Sequence, residues 1–187
     1  MVMIDTDHAE WAVVDRLCRM LTEPSHRTFN VTQSYSLCLG ILAWVMQRVR
    51  TPNGNANTAE AVAAVGLVKA LKNQKIEDFP WALETRSDDG NAAAGDFRNY
   101  CAFEFLVWLR NAMCHGDAQK ILPVNQNNVL IGFEMRMTEK KVFLNEADLR
   151  RIGQALANLY CNAIKNSRDD EHFEKDASTL REKTKAT

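Results

Sequence analysis

The sequence predicts an all-α protein, a helical bundle of about five main helices with one short β-hairpin inserted after the fourth helix. Three observations lead there. Apolar residues recur at three- and four-residue spacing through most of the chain. Alternation at period two is confined to the stretch between Val129 and Leu144. Capping or stop residues bracket each periodic segment. With 187 residues, 46% of them hydrophobic, the chain can bury a full core without staples, and residues 1–165 read as one domain.

The first helix is expected to begin near Asp5–Asp7, where Asp7 and Glu10 have capping-box spacing. Trp11, Val14, Leu17, Cys18 and Leu21 form its apolar stripe, and the helix ends before Pro24. A second helix follows Asn30, with Gln33 as reciprocal cap, and runs to the break at Thr51-Pro52-Asn53-Gly54. Its middle, Leu37–Met46, is apolar on nearly every face, which suits the centre of a bundle or a subunit interface. Thr58–Asn73 reads as a third helix with Val62, Val65, Val68 and Leu71 on one side. In the irregular stretch that follows, Ile76, Phe79, Trp81 and Leu83 read as core anchors and Ser87–Gly95 as a mobile segment.

Asp96 is placed to cap a fourth helix reaching His115, with Phe97, Cys101, Phe105, Trp108 and Ala112 on its buried face and Gly116 as its stop. The asparagines at 125, 127 and 128 read as a loop. Val129–Arg136 and Lys141–Leu144 then form the hairpin, turning at Thr138–Lys140. Asn145 caps the last helix, Leu144 and Leu149 take hydrophobic-staple positions, and Leu149, Ile152, Leu156, Leu159 and Ala163 supply its buried face. Residues 166–187 are a charged tail in which Phe173 and Leu180 are the large apolar residues.

The 23 basic and 24 acidic residues give a net charge of −1, which argues against a broad nucleic-acid-binding surface and leaves room for a local patch. No apolar run approaches the roughly 18–20 residues a bilayer requires, so no membrane partner is expected. Five cysteines, an odd number without a C-x-x-C pair, read as reduced, buried thiols, Cys114 included. The opening MVMIDTDHAE is acidic where a signal peptide needs positive charge, so the expected address is cytoplasmic. No cofactor-binding loop and no metal-ligand spacing are visible, and neither a cofactor nor a metal is expected.

Four histidines narrow the search for chemistry. His8, His26 and His172 fall in polar or charged surroundings and read as surface residues. His115 ends the fourth helix in the string LRNAMCHGD. A cation there is favoured by the exposed carbonyls and the helix dipole by roughly 0.3–1 kcal/mol, and imidazole is the side chain suited to taking and returning protons near neutral pH. Asn111 lies four residues earlier on the same face and can hold the ring. Arg110, five residues earlier, lies about 140° round the helix and must either curl back or meet the groups of a second subunit.

The string Arg110-Asn111-Ala112-Met113-Cys114-His115 resembles the R-x4-6-H motif of the HEPN superfamily, in the form where a polar residue follows the Arg. A His five residues after some Arg is expected about 0.3 times by chance in such a chain, and requiring Asn after the Arg lowers this to about 0.02. The continuation HGDAQKILPVN…VLIGFEM resembles a bacterial, often plasmid-borne, group of HEPN nucleases, over roughly Phe29–Lys165. The resemblance implies a metal-independent endoribonuclease that turns the RNA 2′-hydroxyl on the adjacent phosphate, leaving a 2′,3′-cyclic phosphate and a 5′-hydroxyl. Arg110, Asn111 and His115 are the catalytic residues it implies. A homodimer would bring two motifs into one composite site, and a toxin or defence role would imply an antitoxin or inhibitor protein. Glu104 is a candidate supporting residue by position alone, since a carboxylate inside the apolar run Ala102–Leu109 requires a partner such as Arg110 or Arg98. Lys120 and Arg98 are candidate phosphate contacts. The alternatives are a non-catalytic HEPN-like module that binds RNA, nucleotide or protein, and a helical dimer in which Arg110 and His115 only stabilise the interface.

Overall fold

The computed structural model describes residues 9–23, 29–50, 59–76, 78, 80–81, 97, 99–115, 120–137 and 139–167. Among them are five helices, α1 (Ala9–Thr22), α2 (Asn30–Arg50), α3 (Ala59–Lys72), α4 (Ala102–Cys114) and α5 (Glu146–Ser167). Between α4 and α5 lie β1 (Ile121–Gln126), β2 (Val129–Met137) and β3 (Lys140–Asn145), an antiparallel sheet in the order β1-β2-β3. The all-α class with a single hairpin is therefore corrected: the fold combines a helical bundle with a three-stranded sheet.

The added strand is β1, and its residues explain why it reads as a loop. Pro123 cannot donate to a ladder, and the asparagines look like a turn. Pro123 is tolerated because β1 pairs on one side only, with β2, and Pro123 itself is exposed. Asn127 and Asn128, at φ 52° and 62°, form the two-residue connection between β1 and β2. Both lie in the left-handed region that Asn tolerates and that tight hairpins require. A register shift between Val124 and Asn125 adds an irregularity just before the turn. The expected second hairpin is present, with Phe133 opposite Leu144 and Met135 opposite Val142. Met135, Val142 and Leu144 are buried, so this face of the sheet closes the core.

Helix α2 is the hub. Cys38, Ile41, Leu42, Val45 and Met46 are fully buried, and α2 packs against α1, α3, α4, α5 and β2. This places it at the centre of the bundle. Opposite it, Gly153 of α5 makes a close approach, because a Cβ there would lie 2.6 Å from Leu21 Cδ1 and 3.5 Å from Cys38 Cα. The start of α5 follows its sequence signals: Asn145 Oδ1 accepts from the Asp148 N–H at 2.8 Å, Asp148 Oδ2 accepts from the Asn145 N–H at 3.5 Å, and Leu144 and Leu149 are both fully buried. Asp148 is buried and pairs with Arg151, which compensates its charge.

Other boundaries differ from expectation. Asn30 is the first residue of α2 and not its cap: the Gln33 N–H donates to Phe29 O at 2.8 Å, and the Asn30 amide donates to Glu146 at the start of α5. On α3 the buried residues are Ala63, Ala64, Leu67 and Leu71, whereas Val65 is 65% exposed and Val68 half-buried. Small alanines therefore face the bundle, where close helix approach leaves little room for valine.

The described part of the fourth helix begins at Ala102, although the sequence suggests a run from Asp96 to His115. Cys101 is extended (φ −78°, ψ 166°), bridges Lys75 in an antiparallel pair, and is followed by Ala102, whose N–H donates to Gln74 O at 2.9 Å. Pairing to the segment after α3 thus holds Cys101 out of the helix. Phe97 is buried edge-on against Tyr100, Phe105 and Trp108. Ile76 and Trp81 are buried as expected, with Trp81 Nε1 donating to Gln74 Oε1 at 2.5 Å. The expected cap at Asp5–Asp7, Thr58, Val62's side chain, Phe79, Leu83, the segment Ser87–Gly95, Asp96, Gly116, Thr138 and residues 168–187 lie outside the described residues. Among the described residues no helix is long and apolar enough to cross a membrane.

Gly132 supplies a direct check on the sheet. A Cβ there would stand 2.4 Å from the Leu144 carbonyl oxygen and 2.7 Å from the Phe143 ring. Gly132→Ala is expected to lower stability by about 1–3 kcal/mol through this overpacking. Urea denaturation followed by circular dichroism measures it; an unchanged midpoint would contradict the β2–β3 register.

Candidate active site

Helix α4 sorts its residues by face. Phe105, Leu106, Trp108, Leu109, Ala112 and Met113 are buried, while Arg110 and Asn111 are half-buried and Cys114 exposed. Trp108 Nε1 also donates to Met137 O at 3.2 Å, which ties the helix to the end of β2. The tip of α4 is therefore held firmly, and the outward groups are presented from a fixed base.

His115 is the residue after the last helical one. Its backbone (φ −104°, ψ 11°) has left the helix, yet its N–H still donates to Asn111 O at 2.9 Å. That bond keeps the His115 Cα near its helical position, so the separation of about 140° is bridged by the length of the Arg110 side chain. Arg110 curls back, and its Nη1 lies 3.3 Å from His115 Nε2 within the same chain. The same Nη1 donates to Asn111 Oδ1 at 3.1 Å, and Nη2 donates to Gln47 Oε1 of α2 at 3.4 Å. Arg110 Nε is shielded from solvent and has no hydrogen-bond partner among the described residues.

The structure thus joins Arg110, Asn111 and His115 in one cluster. Asn111 plays a different part from the one expected. Its side chain receives the guanidinium and its backbone carbonyl receives the His115 N–H. Arginine has no acceptor, so the Arg110–His115 contact is a hydrogen bond only when Nε2 is bare and the ring proton sits on Nδ1. In that form His115 offers Nε2 as a proton acceptor, 3.3 Å from a permanent positive charge.

Glu104 is not brought to this cluster. It is exposed, and its Oε2 accepts the Cys101 N–H at 3.0 Å, satisfying a backbone donor at the far end of α4. Seven residues of helix, roughly 10 Å of rise, separate it from Asn111. Lys120 is half-buried just before β1, where its carbonyl accepts the Arg136 N–H at 2.7 Å. Arg98 lies outside the described residues, as do His8, His26 and His172.

Gln47 is the site residue that the sequence conceals. It sits twelve positions along α2 from Tyr35 in an unremarkable Met-Gln-Arg string, and only the crossing of α2 and α4 brings it to Arg110. Tyr35 is the second. Its ring lies tilted against Phe133 of β2 with centroids 4.7 Å apart, and burial, then the nearby Cys114 and Cys38 thiols, push its hydroxyl above the usual tyrosine pKa.

All five cysteines are free. Cys18 and Cys38 are buried, Cys101 and Cys161 half-buried, and Cys114 exposed, which corrects the expectation of a buried thiol beside His115. Burial pushes Cys38 up to about 12 and raises Cys161 and Cys18 as well. Among the described residues no group of three or more His, Cys, Asp or Glu side chains could hold a metal ion. Comparison of the chain with protein-family models, with curated proteins and with solved structures returns no match.

The thiols predict an order of reaction. Iodoacetamide applied to the native protein is expected to alkylate Cys114 first and to leave Cys38 unmodified even at pH 9, below the raised Cys38 value, until denaturant is added. Mass spectrometry of tryptic peptides reads the order; early modification of Cys38 would contradict the packing of α2.

Proposed function

We propose that the chain is a metal-independent endoribonuclease acting through Arg110 and His115. The observation that carries this reading is the 3.3 Å approach of Arg110 Nη1 to His115 Nε2 at the tip of α4. It brings together, in one chain and on one fixed helix end, the two kinds of group that transesterification of RNA requires. The HEPN-like spacing of Arg110, Asn111 and His115 supports the same reading.

The chemistry follows from these groups. An RNA phosphate entering the site pairs with the Arg110 fork, whose planar donors match two phosphate oxygens. The phosphate takes over the Nη1 hydrogen that met Nε2, and the freed nitrogen accepts the proton of the 2′-hydroxyl. The 2′-oxygen attacks phosphorus, the developing negative charge is stabilised by Arg110, and the bond to the 5′-oxygen breaks. The products are a 2′,3′-cyclic phosphate and a 5′-hydroxyl. The leaving 5′-oxygen needs a proton from the opposite side of the phosphorus, which the same imidazole cannot supply while it holds the first. A homodimer with a composite site supplies it from the His115 of the second copy. A cytoplasmic toxin or defence nuclease controlled by an inhibitor protein is the setting that this activity suits.

Two linked outcomes test the reading. Arg110→Ala and His115→Ala are expected to reduce RNA cleavage at least 100-fold, about the worth of a general base or an oxyanion donor, with an unchanged circular dichroism spectrum and oligomeric state. Addition of EDTA is expected to leave the wild-type rate unchanged. Full activity in both purified variants would refute the assignment, and loss of cleavage on chelation would point to different chemistry.

A further inference from the structure

Among the described residues three groups hold Arg110, and they differ in origin. Asn111 and His115 belong to the same helix end and both engage Nη1. Gln47 comes from α2 and engages Nη2, the other tip of the fork. Because Nε is shielded from solvent, the hydrogen bonds that Arg110 can make outward leave through Nη1 and Nη2. The orientation of the plane is therefore set by what each Nη meets, and Gln47 is the contact that references it to the body of the bundle. The helix beneath Gln47 is rigidly placed: Val45 and Met46 are fully buried and Val49 nearly so, while Gln47 itself is exposed beside the fork.

The residue type matters as much as the position. A carboxylate at 47 would pair with the guanidinium and cancel its charge, so that an incoming phosphate would have to displace a tethered anion. An amide oxygen accepts one hydrogen bond and leaves the full positive charge in place. A freely rotating Arg would still attract the phosphate but would be misaligned as the transition-state charge develops, which slows the chemical step more than it weakens binding.

We propose that Gln47 is a positioning residue for Arg110, a neutral strut that fixes the guanidinium while leaving its charge for the RNA phosphate. This rests on the ribonuclease reading above. Gln47 touches the fork and not the reacting atoms, so its effect passes through Arg110.

Two substitutions in the full chain separate the hydrogen bond from the charge. Gln47→Met keeps the volume and removes the acceptor; Gln47→Glu keeps the acceptor and adds a negative charge. Each is measured for kcat on a cleavable RNA, and for Kd and its salt dependence on the same sequence carrying 2′-O-methyl groups, which cannot be cut. Gln47→Met is expected to lower kcat by about 5- to 20-fold, as misorientation of a reacting group does, with Kd within about twofold of wild type. Gln47→Glu is expected to raise Kd about tenfold and to flatten the salt slope by about one released ion. A merely structural glutamine would not move that slope. Wild-type kcat, Kd and slope in both variants, with Arg110→Ala and His115→Ala inactive, would overturn the role of Gln47 alone. Full activity of Arg110→Ala and His115→Ala would overturn the ribonuclease reading and this inference with it.

Discussion

Between Leu37 and Met46, α2 presents almost nothing polar to water, so it can exist only as a helix covered on nearly all sides. Cys38, Ile41, Leu42, Val45 and Met46 are fully buried. Burial of each large aliphatic side chain among these contributes about 1.5–3 kcal/mol, against about 1 kcal/mol for a typical helix cap. The packing around α2 therefore outweighs any single boundary feature, and the other elements take their places from it. α1 and α5 meet α2 near Gly153, and α3, α4 and β2 contact it elsewhere. The same helix carries Tyr35 against Phe133 and Gln47 against Arg110. Covering an apolar helix thus sets the frame of the site.

The long periodic helices can be read directly from residues, because their signals are local; of the caps, Asn145 holds, whereas Asn30 lies inside α2. The stripe of α1 and the cap at Asn145 follow from spacing and side-chain chemistry; on α5 Leu149, Ile152 and Leu156 are buried as expected, whereas Leu159 and Ala163 are half-buried and Ala157, Tyr160 and Ile164 are buried beside them. What could not be read depended on partners distant in sequence. β1 is a strand because β2 lies beside it, and its own residues include a proline and a turn-like asparagine pair. Asn127-Asn128 before Val129 carries the local signal, since two successive residues tolerant of positive φ mark a tight hairpin. The start of α4 moved for the same reason, because Lys75 pairs with Cys101 across the fold.

The site divides along similar lines. The spacing of Arg110, Asn111 and His115 was visible, and so was the helix end that carries them. Of the two routes open to Arg110, the side chain takes the one that curls back to His115 within one chain. The His115 N–H keeps its bond to Asn111 O, so it is the reach of the arginine, whose other tip meets Gln47, that closes the gap. Glu104 shows the opposite case. A carboxylate in an apolar run suggested a buried ion pair, yet the nearest unsatisfied donor was the Cys101 N–H three residues away. Local backbone donors at helix starts capture such side chains before distant arginines do.

The near-neutral charge fits a site built from few groups. A fork of one arginine per chain can neutralise few phosphates, so the proposed activity requires orientation more than bulk attraction. The proposed reaction runs through the 2′-hydroxyl, and the chemistry of the ends it would leave is its most direct signature. The decisive measurement is therefore the analysis of cleavage products from a defined RNA incubated with the purified protein in EDTA. The account predicts fragments ending in 2′,3′-cyclic phosphate and beginning with 5′-hydroxyl, and no cleavage where a single 2′-deoxynucleotide replaces the ribose at the cut. Fragments with 3′-hydroxyl and 5′-phosphate ends, or cleavage at the 2′-deoxy position, would contradict it.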